Sequence, residues 1–66
     1  MATHSRGTEL RTAVLLLEQR YSAGLHDDRE RDRAWQMLVR RGYVPEIAYD
    51  AIRAYERAER ERRSAA

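Results

Sequence analysis

Three stretches of this chain place apolar residues at steps of three and four, and little more than glycine and proline marks the breaks between them. Leu10, Ala13, Val14, Leu17 and Tyr21 form the first series; Ala34, Trp35, Leu38 and Val39 the second; Ile47, Ala48, Ala51, Ile52 and Tyr55 the third. This spacing lines up side chains along one face of an α-helix. No segment alternates with a period of two, no hairpin dipeptide occurs and no internal repeat is visible. The expected fold is all-α, a small three-helix bundle over residues 8–59. A flexible N-terminal tail, 1–7, and a charged C-terminal tail, 60–66, flank it.

Local chemistry sets the expected boundaries. Thr8 caps the first helix with Glu9 in its first turn, and Gly24 closes it in a left-handed conformation with Leu25 folding back as the apolar contact. Asp27 caps the second, with Glu30 three residues on in a capping-box spacing. That helix starts near Asp28 and stops at Gly42, where Arg40 and Arg41 meet the negative end of the helix dipole. Pro45 opens the third, because a first-turn residue has no N–H to lose, although Val44 is a poor cap. Beyond Glu59 the sequence has no core face and the helix is expected to fray.

With 66 residues and no cysteine, the chain has one thin core and no disulfide to reinforce it. Helix packing or self-association must supply the stability. The longest apolar run, Ala13 to Leu17, is far too short to span a bilayer, so a cytoplasmic protein without membrane contact is expected. All 13 basic residues are arginine, yet the net charge is only +2, with both signs interspersed. Interspersed charge marks a solvated surface more than a nucleic-acid patch.

Catalytic machinery is not visible. His4 falls in the tail and His26 in a short connection, and no serine or cysteine nucleophile stands where helical geometry would bring it to them. The "DDRERD" cluster interleaves Asp27, Asp28, Glu30 and Asp32 with arginines and lacks the glycine of a calcium loop, so capping and a solvated face explain it better than a metal site. No glycine-rich phosphate loop occurs. A non-enzymatic protein without cofactor or metal is expected.

Binding faces are then sought among outward positions. At about 100° per residue, Arg29, Arg33, Gln36 and Arg40 fall in one narrow sector of helix two, opposite its apolar face. An acidic partner could dock there. On helix three, Tyr49 and Arg53 lie opposite the core stripe, and these are residue types that anchor interfaces. Helix one carries more apolar side chains than one stripe uses: Leu16 belongs with the core, whereas Leu15 is the candidate for contact outside it. Either helix one is central and touches both others, or another chain covers the surplus, and a homodimer would do so. A helix-turn-helix reading, with the helix-two arginines on DNA, is the alternative. Helix three opposes it, since Glu46, Asp50, Glu56 and Glu59 would repel phosphates.

Trp35, Leu38, "RRGY" at 40–43 and "PEIAYDAIR" at 45–53 resemble the corner between helices in the three-helix repeats of the RecX regulatory proteins, and "AVLLLEQR" resembles the first helix of such a repeat. In that family the glycine ends one helix, the following aromatic fills the corner and the acidic residue starts the next helix. The resemblance implies a single unit of a fold that the family stacks in tandem, a regulatory role by protein–protein binding, and a RecA-type recombinase as partner.

Overall fold

The computed structural model describes residues 6–65, and in them the chain folds as three α-helices: α1 (Arg6–Arg20), α2 (Asp28–Arg40) and α3 (Pro45–Ala65). No strand occurs among the described residues. The all-α bundle expected from periodicity is the fold observed.

α3 is the spine. Both other helices pack on it, whereas α1 and α2 hardly touch each other. At about 1.5 Å per residue its 21 residues reach some 31 Å, and the molecule measures 41 × 25 × 17 Å. The core is the seam where the three apolar stripes converge: Ala13 and Leu17 from α1, Ala34 and Leu38 from α2, and Ala48, Ala51, Ile52 and Tyr55 from α3. Alanines at half of these positions let the backbones approach closely, so the few large side chains that remain carry the burial.

The second corner follows the expected chemistry, but the first does not: α1 ends at Arg20, and Gly24, expected to close it, lies four residues beyond, where its N–H closes only a turn onto the Tyr21 carbonyl (3.0 Å). Gly24 and Gly42 have φ of 95° and 110°, the left-handed region open to glycine. At the second corner the Gly42 N–H donates to the Val39 carbonyl (3.0 Å) and the Tyr43 N–H to the Leu38 carbonyl (3.1 Å), which is the Schellman pattern. Tyr43 then packs half-buried against the core. "RRGY" is thus a packing corner. At the start of α2, Asp27 accepts from the Glu30 N–H (2.9 Å), and the Glu30 carboxylate reaches back to the His26 N–H (2.7 Å). This box closes one residue earlier than the usual cap, so Glu30 holds the connection as well as the helix.

Further expectations are corrected. α1 begins at Arg6, so Thr8 lies inside it, where its carbonyl accepts the Thr12 hydroxyl (3.0 Å), and is not its cap. Arg6 and Gly7 are therefore helical, while the rest of the expected flexible tail, 1–5 with His4, lies outside the described residues. α3 does not fray at Glu59 but continues to Ala65. Alanine, glutamate and arginine are strong helix formers, and Glu59 pairs with Arg62 one turn on (2.9 Å). Trp35, assigned to the core, is only half-buried: its indole N–H turns to the Pro45 carbonyl at 3.4 Å, at the base of α3.

Candidate functional site

Two interhelical ties fix which faces point outward. The Tyr55 side chain is fully buried, and its hydroxyl donates to the Tyr21 carbonyl just past α1, the same oxygen that accepts the Gly24 N–H. Burial, followed by the nearby Glu59 charge, pushes the Tyr55 hydroxyl pKa up. On the other flank, Arg31 of α2 donates through Nε to Glu56 of α3 (2.9 Å) and through Nη1 to Asp28 (3.1 Å). The Glu56 carboxylate, by accepting that hydrogen bond and by its charge, raises the Arg31 pKa further.

With α2 oriented in this way, Arg29, Arg33, Gln36 and Arg40 are all exposed on the side turned from α3. Gln36 donates to the Asp32 carboxylate (3.0 Å) one turn below. Among the described residues, Arg29, Arg33 and Arg40 form no ion pair. The three arginines of the stripe thus have no direct ion pair, Asp28 being taken by Arg31, while the Asp32 carboxylate is held by Gln36 within the stripe itself.

Tyr49 is 55% exposed, the most open of the large apolar side chains on the surface. The Arg53 guanidinium lies over its ring, 5.6 Å from the centroid, a cation–π contact that favours this orientation. Next to it a shallow crevice opens between α2 and α3, with Trp35, Tyr49 and Ile52 as its apolar lining and Asp28, Arg31 and Asp32 as its polar rim. The structure brings Tyr49 and Arg53 together, and it places the Arg29–Arg40 stripe on another helix, outside this crevice. Reasoning from the sequence missed the crevice itself, because Trp35 was assigned to the interior and the Arg31–Glu56 bridge joins residues 25 apart.

The acidic cluster is fully explained by local bonds. Asp27 caps, Glu30 accepts from His26, Asp28 pairs with Arg31 and Asp32 accepts from Gln36. Among the described residues no group of three or more histidine, cysteine or acidic side chains is placed to hold a metal ion. Among the described residues no helix is long and apolar enough to cross a membrane.

No known protein family matches the chain, and neither a curated protein nor a solved structure does. The fold and its surfaces are the ground for any functional reading.

Proposed function

We propose that the chain is a non-enzymatic regulatory or adaptor protein of the cytoplasm, resembling a single RecX-type unit, that acts by binding another protein. The observation that carries this reading is Tyr49, a large aromatic more than half exposed, braced by Arg53 at the mouth of a crevice lined by Trp35 and Ile52. A pre-ordered aromatic beside an apolar crevice gives a partner side chain a desolvated seat at little entropic cost. The unpaired arginines of α2 suit an acidic partner surface, and a RecA-type recombinase filament is the first partner to test.

Tyr49→Ala should weaken binding to such a filament at least about tenfold, the scale of an interface anchor. Alanine at Arg29, Arg33 and Arg40 should mainly slow association and reduce its salt dependence. Affinity left unchanged by all four substitutions would reject these faces.

The row of arginines without a direct ion pair also supports a second reading, direct binding of duplex DNA through α2. Three phosphate contacts would give a log–log salt slope near about −2.7. A titration at low salt that shows no binding removes that reading.

A further inference from the structure

In a chain 36% charged, the outer face of α1 carries a strip of uncharged residues, with Glu9 at its edge. Thr8, Thr12, Leu15 and Gln19 follow one another at steps of four, three and four, and Leu16 borders them. Leu15 stands at the centre, 52% exposed and directed away from the buried Ala13 and Leu17. The strip forms one wall of an open groove whose other wall is the corner Arg41–Gly42–Tyr43. Because α3, and not α1, is the central helix, neither α2 nor α3 covers this wall.

The geometry points to a second copy of the chain as the occupant, with the two α1 helices antiparallel across a two-fold axis. Steps of four, three and four are the seam spacing of a helix pair. In an antiparallel pair that sets Thr12 against the partner's Leu15 and Thr8 against the partner's Gln19, the rows flanking the seam on one side meet each other. One such row holds Arg11 and Glu18, which lie seven residues or about 10 Å apart along α1 and so cannot pair within one chain. Neither forms an ion pair with another described residue. In this register Arg11 falls within about two residues, some 3 Å along the axis, of the partner's Glu18, and the symmetry makes the pair twice. A parallel arrangement would put the two Arg11–Glu18 rows on opposite sides of the seam, where they could not meet. The seam is self-complementary in charge, which a groove for an unrelated partner has no reason to be.

Only Leu15, Leu16 and Tyr43 are large apolar contributors on each side, so the dimer is a weak one that forms at micromolar concentration. It does not depend on the Tyr49 face, which lies on α3. Sedimentation equilibrium of the full chain tests it. The wild type should associate to a dimer at high micromolar concentration. Leu15→Glu, which puts two carboxylates at the apolar centre of the seam, should weaken association at least about tenfold. Arg11→Glu changes an exposed position outside the core, so it preserves the fold. It should also weaken association, and Arg11→Glu with Glu18→Arg should restore it, since each swapped charge again meets its opposite. A wild type that stays monomeric, or a dimer unaffected by Leu15→Glu and by Arg11→Glu, overturns the proposal. So does a double variant that fails to recover while circular dichroism reports native helix.

Discussion

Tyr55→Ala should leave the chain largely unfolded at 25 °C. Tyr55 is the largest fully buried side chain and sits where α3 meets the end of α1. Truncating a buried aromatic to alanine costs about 3–5 kcal/mol, a large part of what so small a domain holds. Tyr55→Phe separates the two contributions. It keeps the ring and loses only the bond to the Tyr21 carbonyl, which still accepts from Gly24, so about 0.5–1.5 kcal/mol is expected. The hydroxyl also gives the pair a pH signature. Its pKa is raised in the folded chain above the ordinary phenol value of about 10, so as pH rises past that value the unfolded chain releases this proton first. The native state then binds more protons than the unfolded one, and stability falls with pH. This contribution is complete below about pH 10 and is lost above it. Chemical denaturation should therefore show the gap between wild type and Tyr55→Phe shrinking as pH is raised past 10. A constant gap would mean that the hydroxyl is not buried.

Leu38→Ala is the second large effect. Leu38 is fully buried on α2, and its loss removes the one large, fully buried side chain which that helix contributes to the seam. The expected cost is about 2–5 kcal/mol, the upper end applying if the alanine-lined surroundings are already too close to collapse further. Leu38→Met conserves volume and should cost less than about 1.5 kcal/mol. Thermal melts followed by circular dichroism distinguish them, and an unchanged melt for the alanine variant would contradict the packing described above.

What the sequence made legible was local. Asp27 with Glu30, and Gly42 before Tyr43, act through bonds spanning a few residues, so residue type and spacing suffice to place them. The solvent-facing positions of Arg29, Arg33, Gln36, Arg40, Tyr49 and Arg53 followed from helical period in the same way, as did the exposure of Leu15. The α3 extension was missed because attention to a core face undervalues propensity: residues 60–65 bury nothing large, yet they remain helical. Trp35 was misplaced because an indole has both an apolar body and a donor, and its periodicity reports only the first. Which helix is central was not legible at all. That depends on how three stripes share one seam, and neither the Arg31–Glu56 bridge nor the bond from Tyr55 to Tyr21 leaves a trace in spacing.

The position of α3 as the sole common neighbour of α1 and α2 bears on how the protein is made. During synthesis the N-terminal half emerges as two short helices with almost nothing to bury against each other. Helices of 15 and 13 residues are marginal in water without a packing partner. The nascent chain is therefore expected to stay open until the segment through Tyr55 has cleared the ribosome, when the seam can close from both sides. Its exposed apolar stripes are free for that interval, the one in which a chaperone or a neighbouring nascent chain would find them.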